Sequence, residues 1–258
     1  MTRVTFHNRR VWLTGASYGI GRACALEFAR RGARVAISAR SQDLLEEVAR
    51  EAAAGSIEVV PLDVTDRAAH VKAVKRVVEK LGGIDTLFLN AGTCEYVDPD
   101  AFDAGVFERL MSVNFLSMTY AIEASLEVLA RGASPHLVGM GTTVAWAPLP
   151  RAEAYGATKA AIAYLMGALR ISLKHRNIDV SLVSPGFVQT PLTDKNDFPM
   201  PLRISSEEAA RAIADGIECR RREVHFPKAF SWPAWWLSKL PAAVRERVAM
   251  RFRAPRKS

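Results

Sequence analysis

A chain of 258 residues that is 49% hydrophobic and 24% charged has the apolar mass for a complete core and lacks the polar, biased composition of a disordered protein. Its net charge of +8 is concentrated at one end: residues 228–258 hold eight Lys or Arg against the single acid Glu246, so the basic excess belongs to an appendage and no nucleic-acid motif accompanies it. There is no signal-peptide stretch and no apolar run of membrane-spanning length (about 18 residues), and Cys24, Cys94 and Cys219 show neither disulfide-framework nor zinc spacing, all of which fits a reducing cytoplasm.

From Arg10 to Ser184, short β-branched runs alternate with longer segments whose apolar residues recur at helical spacing. That is the pattern of a parallel sheet covered on both faces. The first strand, Val11 to Thr14, runs into Gly15-Ala16-Ser17-Tyr18-Gly19-Ile20-Gly21, and a helix follows from Gly19 to Arg31. Glycines at such a turn let backbone amides approach a pyrophosphate, and the helix N-terminus adds partial positive charge. A tight turn without a ligand would need the same glycines, so the loop gains weight only from residues farther along the chain. Gly32 offers a left-handed cap to that helix. The second strand, Arg34 to Ser38, ends in Ala39-Arg40-Ser41. An acid there would bind ribose hydroxyls; Arg40 and Ser41 instead present a guanidinium and a hydroxyl to a 2′-phosphate, which favours NADP(H).

A helix over Gln42 to Ala54 and a strand over Ile57 to Pro61 lead to Asp63 and Val64, where Asp63 can meet an adenine edge. Thr65 stands where it can cap the next helix, Arg67 to Leu81. The fourth strand, Ile84 to Leu89, ends in Asn90-Ala91-Gly92, whose small side chains permit close approach, with Cys94 near enough to line a pocket. One helix is expected over Phe107 to Arg131, closed by Gly132 as a left-handed cap, before a fifth strand over His136 to Gly141. A long helix, Ala152 to Arg176, then carries Tyr155 and Lys159 one turn apart on one face. A phenol alone is a poor base at neutral pH, and a neighbouring ammonium favours phenolate and lowers its pKa. The sixth strand, Asp179 to Val183, is followed by Pro185-Gly186, Val188 and Thr190, and Thr190 to Arg203 reads as a mobile lid. A helix from Ser206 to about Arg221 and a last strand, Glu223 to Phe226, complete this part. The ligand-facing positions all fall at carboxyl ends of expected parallel strands, where open α/β sheets bind ligands. His7, His70, His136, His175 and His225 lack metal-ligand spacing, so they are expected at the surface or at strand edges, and no metal is expected.

Residues 1–227 therefore read as one doubly wound, Rossmann-fold α/β domain and residues 228–258 as a basic amphipathic extension. In the extension, Trp232, Trp235, Trp236 and Leu240 share a helical face, and Val244, Val248 and Phe252 mark a second helix after Pro241 with arginines opposite. Two readings stand. The extension packs on its own subunit or on a partner copy and shields the substrate cleft, or it lies on an anionic lipid surface as a peripheral membrane contact on the inner face.

Thr14-Gly15-x-x-x-Gly19-x-Gly21, Asn90-Ala91-Gly92, Asn114, Tyr155-x-x-x-Lys159 and Pro185-Gly186 stand in the order and at the spacing of the short-chain dehydrogenase/reductase family, which the chain resembles over about residues 8–227. The resemblance implies a nicotinamide-dependent oxidoreductase, assembled as a homodimer or homotetramer. It implies that Tyr155 exchanges a proton with a carbonyl or alcohol, that Lys159 binds the nicotinamide ribose and tunes Tyr155, that Asn114 positions a water in the proton relay, and that Thr190 holds the carboxamide. The chain departs from the family pattern thirteen residues before the tyrosine, where a serine is usual and Thr142 stands. Its hydroxyl can still donate to a substrate oxygen, but the methyl stiffens the rotamer and narrows the pocket; Thr143 is placed to share the task. The expected reaction is NADPH-dependent reduction of a hydrophobic, lipid-like carbonyl. The competing reading, which Thr142 keeps open, is a catalytically weak NADP-binding sensor or scaffold at a membrane.

Overall fold

The computed structural model describes residues 3–146, 148–195 and 200–250. Seven apolar runs become β1 (Arg10–Thr14), β2 (Arg34–Ser38), β3 (Ile57–Val59), β4 (Thr86–Leu89), β5 (His136–Met140), β6 (Asp179–Pro185) and β7 (Glu223–Phe226). They form one parallel sheet in the order β3-β2-β1-β4-β5-β6-β7, with Val11 beside Val35 and Trp12 beside Leu87. Strand order reverses between β1 and β4, so a crevice opens beyond their carboxyl ends.

Helices α1 (Gly19–Arg30), α2 (Gln42–Glu51), α3 (Arg67–Leu81), α4 (Ala104–Leu110), α5 (Ser117–Ala130), α6 (Glu153–Ser172) and α7 (Ser206–Glu218) flank the sheet. On one face Cys24 and Phe28 of α1 and Ile213 of α7 join Val35 and Phe88. On the other, Val77 of α3, Ile122 of α5 and Met166 of α6 join Trp12, Leu87 and Leu137. Because both faces are covered, even a central polar atom must find a partner inside, and Trp12 donates its indole N–H to Ser38 Oγ at 2.9 Å.

Several element ends differ from the sequence reading, each for a local reason. Asp66, not Thr65, caps α3, its carboxylate accepting from Ala69 N at 3.1 Å, while the Thr65 hydroxyl donates to Asp63. Ser205 caps α7 in a reciprocal box with Glu208. Gly32 adopts the expected left-handed conformation, but Gly132 does not: a Cβ there would collide with Ile84 O, so this glycine serves close backbone approach. The left-handed cap of this kind that went unread is Gly82 after α3. His70 and His136 are buried rather than peripheral, because α3 turns His70 inward and β5 is a central strand with both faces covered. His136 Nε2 and Ser181 Oγ lie 2.7 Å apart, hydrogen-bonded to each other.

The single helix expected over 107–131 is interrupted between α4 and α5 by a π-type turn, Met111–Leu116. The Ser117 hydroxyl donates to Val113 O at 2.6 Å, taking up a carbonyl that the wider turn displaces. The turn is where Asn114 sits. The extension forms α8 (Lys228–Ser238) and α9 (Ala242–Ala249). The expected contributions of Phe252, Arg251, Arg253, Arg256 and Lys257 lie outside the described residues.

Candidate active site

The carboxyl ends of β1, β2, β4, β5 and β6 open on a cleft of about 830 Å³. Its glycine loop is shaped by backbone approach. A Cβ on Gly15 would lie 2.6 Å from Ala91 Cα, and one on Gly21 would collide with Gly15 O, so only hydrogen fits at either place. Asn90 pins the loop, its Nδ2 donating to Gly15 O at 2.8 Å and to Thr14 O at 3.2 Å. α1 has no acid in its first turn and no side-chain cap, which leaves the amides around Gly19 free for an anion. Such a cradle fits a dinucleotide pyrophosphate.

Seventeen sequence-predicted positions meet at this cleft, from Gly15, Ser17, Tyr18, Gly19, Ile20 and Gly21 through Arg40, Ser41, Asp63 and Val64 to Asn90, Ala91, Gly92, Tyr155, Lys159, Pro185 and Thr190. Arg40 is exposed at its β2 end and takes no hydrogen bond or ion pair among the described residues. Ser41 is partly spoken for, since its oxygen caps α2 by accepting from Leu44 N. Asp63 is held below the usual carboxylate range by the backbone and hydroxyl of Thr65.

Asn114, Thr142, Gly186 and Val188 do not line the cleft, Asn114 and Thr142 being buried behind its wall. Gly186 faces the extension, where a Cβ would lie 2.7 Å from the Phe230 ring, and the Val188 side chain is buried in the core. Thr190 is held by Thr193, whose hydroxyl accepts from Thr190 N at 3.1 Å and donates to Val188 O at 2.7 Å. Thr193, and the rim ion pair of Arg109 with Glu95 at 2.8 Å, were missed in the sequence, where neither belongs to a spaced motif.

The proton-handling groups converge where α6 meets β5. Lys159 is buried, donates to Met140 O at 2.9 Å, and has its ammonium pKa pushed down to about 8 by that burial. Its Nζ lies 5.7 Å from the Tyr155 ring. Burial pushes the Tyr155 phenol well above its ordinary value, the neighbouring Cys94 adds to this, and a hydrogen bond with Thr142 only partly offsets it. The Lys159 ammonium, expected to lower the phenol, is turned to a backbone carbonyl and takes no part in this shift, so the phenol stays protonated at neutral pH. Thr142 also accepts from Val144 N at 3.3 Å and its hydroxyl reaches Pro185 O at 3.4 Å, the carbonyl to which Thr143 donates at 3.1 Å. Asn114 is fully buried, its Oδ1 accepting from Thr93 N at 2.7 Å and its Nδ2 donating to Thr93 O and to Thr158 Oγ1. Cys94, beside them, is raised to about 11 by burial and remains a thiol. Among the described residues, no cluster of three or more His, Cys, Asp or Glu could hold a metal ion, and no helix is long and apolar enough to cross a membrane.

Comparison with known proteins bears on this geometry. Residues 9–199 match the family described as short chain dehydrogenase. An uncharacterised oxidoreductase of Myxococcus xanthus is 31% identical over 247 residues, covering 95% of this chain and 98% of that protein. An 11-beta-hydroxysteroid dehydrogenase A of Sesamum indicum is 30% identical, covering 88% of this chain and 70% of that one. The crystal structure of a 3-ketoacyl-(acyl-carrier-protein) reductase from Brucella melitensis, complexed with NADH, superposes with a TM-score of 0.81 at 24% identity, over 88% of this chain and all of that one.

Proposed function

The chain belongs to the short chain dehydrogenase family, and from that premise we propose that this oxidoreductase reduces hydrophobic carbonyls with NADPH. The observation that carries the reading is that Tyr155 and Lys159, one helical turn apart on α6, line the same cleft as the glycine loop. When bound, reduced nicotinamide supplies a hydride to the carbonyl carbon. The protein's own groups manage the charge that then develops on oxygen. Tyr155 and Thr142 donate hydrogen bonds to that oxygen, and Tyr155 gives up its proton to complete the alcohol. Lys159 offsets the phenolate left behind, while Asn114 holds Thr93 and Thr158 so that the wall beside Lys159 keeps its shape. Arg40, free at the adenosine end, supports the 2′-phosphate of NADPH over the bare ribose of NADH. Turnover of a panel of hydrophobic ketones with NADPH and NADH in parallel tests the proposal. Faster NADPH consumption matched by alcohol is expected; NADPH binding with no consumption by any ketone would favour the sensor reading.

The extension supports reversible docking on anionic lipid as part of the same reading. One edge of α8 is anchored, with Ser231 buried and its hydroxyl 2.7 Å from His225 Nδ1. Apolar surface beside it is open: Trp232, though its ring packs edge-on against His225, is 51% and Trp236 62% exposed, and Leu240, which was expected on the same helical face but lies beyond the end of α8, is 46% exposed. Tryptophan suits the bilayer interface, and each basic residue near an anionic surface contributes about 1 kcal/mol. Full-length protein should pellet with phosphatidylserine vesicles at low salt and Trp232→Ser/Trp236→Ser should not. Failure of the full-length protein to pellet would leave α8 as packing alone.

A further inference from the structure

A second cavity, of about 580 Å³, lies between α9 and the stretch that joins Thr142 to Tyr155, and it shares no lining residue with the cleft that holds Tyr155 and Lys159. Its walls are mostly apolar, with Trp146 and Leu149 from that stretch, Ala157 and Ala160 from α6, and Ala249 and Met250 from the extension. The α6 wall is low, for a Cβ added at Gly156 would meet nothing within 4 Å. The volume falls in the ordinary range for small-molecule sites.

Two further observations say what fits there. First, α9 has eight residues and none of them is buried. A helix that short is marginal in water and takes its stability from an apolar face packed on something. Here the side of α9 that carries Ala249 borders the cavity, so an apolar occupant would supply the packing. Second, Arg245 of α9 lines the same space, its Nε is buried without a hydrogen-bond partner, and its guanidinium forms no ion pair among the described residues. A buried donor left unmade is costly, and the strongest acceptor for a guanidinium is a carboxylate, which two of its N–H groups can grip at once. The two acids at the rim do not take that place: Glu153 accepts from Arg151 N at 3.1 Å, and Glu246 is exposed to solvent.

We infer that this cavity binds a fatty carboxylate, its chain against Trp146, Leu149 and Ala160 and its head on Arg245, at a site separate from the catalytic cleft. The bound chain fills the space under α9 and steadies that helix. The probe is laurate, kept below the concentration at which it forms micelles and titrated calorimetrically into the full chain with and without saturating NADPH. One laurate should bind, equally well in both cases. Its affinity should fall about tenfold or more in Ala160→Phe and in Ala249→Phe, which fill the cavity from opposite walls, and about threefold or more in Arg245→Gln. Acetate, which has the head without the chain, should not bind measurably. Amide hydrogen exchange in α9 should slow when laurate is added to the unmodified protein, and slow less in Arg245→Gln at the same laurate concentration. Thermal unfolding checks that each variant is folded, and any one folded variant suffices for the comparison. Laurate that NADPH displaces would belong to the cofactor cleft, and laurate whose affinity is unmoved by the substitutions would belong to the exposed tryptophans of α8. Either result, or no binding to the unmodified protein, overturns the inference.

Discussion

The two ends of the same sheet treat charge in opposite ways. At the amino ends of the strands the arginines of β1 and its approach are turned into the protein: Arg9 Nε donates to Thr86 Oγ1 at 2.6 Å and its Nη2 to Ser134 O at 2.6 Å. Arg10 grips Asp85 at 2.6 Å, and Asp85 also accepts from the amides of Arg10 and Ala133. Burial works against the Asp85 charge, yet these hydrogen bonds hold its pKa below the usual range. At the carboxyl ends, Arg40 takes no hydrogen bond or ion pair among the described residues, the helix start at Gly19 has no side-chain cap, and Tyr155 and Lys159 are desolvated without being paired to each other. Charged groups paired within the protein at one end hold the chain together, and groups at the other face the cleft.

Substitutions at the two ends should therefore fail differently. Tyr155→Phe should retain NADPH binding and unchanged thermal stability while losing about 10² to 10⁴ in turnover, the usual worth of a positioned acid. Normal turnover in that variant would move the proton donor elsewhere. Asp85→Asn should lower stability by roughly 1.5 to 3 kcal/mol, because the half-buried Arg10 loses its charged hydrogen-bond partner. Denaturant unfolding reads this, and an unshifted midpoint would show that the amino-end network is ornamental. Arg40→Ala should weaken NADPH by about 1.5 to 3 kcal/mol and NADH much less, measured by calorimetry. Equal affinity of the unmodified protein for both cofactors would contradict the role given to Arg40.

The smallest effect is a pH slope. His136 is fully buried, and burial with the nearby Arg220 and Arg9 charges pushes its pKa well below the ordinary histidine value. The folded protein then resists the proton that the unfolded chain accepts near pH 6.5. Its neutral form is accommodated without penalty above that value, and stability falls as the pH drops below it, by up to about 1.4 kcal/mol per pH unit. His136→Asn should flatten that part of the stability curve, and an equally steep curve would assign the slope to other groups.

Much of this division can be read in the sequence, for reasons that differ by residue. The glycine loop, Asn90 and the Tyr155–Lys159 pair are legible because backbone approach and helical spacing leave fixed intervals. The amino-end network is not, since Arg9, Asp85 and Ala133 meet only through strand register. The π-type turn at Asn114 is invisible to helical periodicity, which continues through it. The direction of the ammonium is hidden for a related reason: four residues of helix place it near a ring, but only the tertiary structure shows Lys159 Nζ turned to Met140 O. Gly186 was read with the motif it ends, while its space is taken by Phe230 from a helix that the motif does not include.

The central claim is that the same sheet separates stability from chemistry by end, and it is tested most directly by measuring NADPH-dependent ketone turnover and thermal unfolding on Tyr155→Phe and Asp85→Asn side by side. The account predicts a crossed result: Tyr155→Phe inactive at an unchanged Tm, and Asp85→Asn active per folded molecule at a lowered Tm. Loss of both properties in either variant, or full activity in Tyr155→Phe, would contradict it.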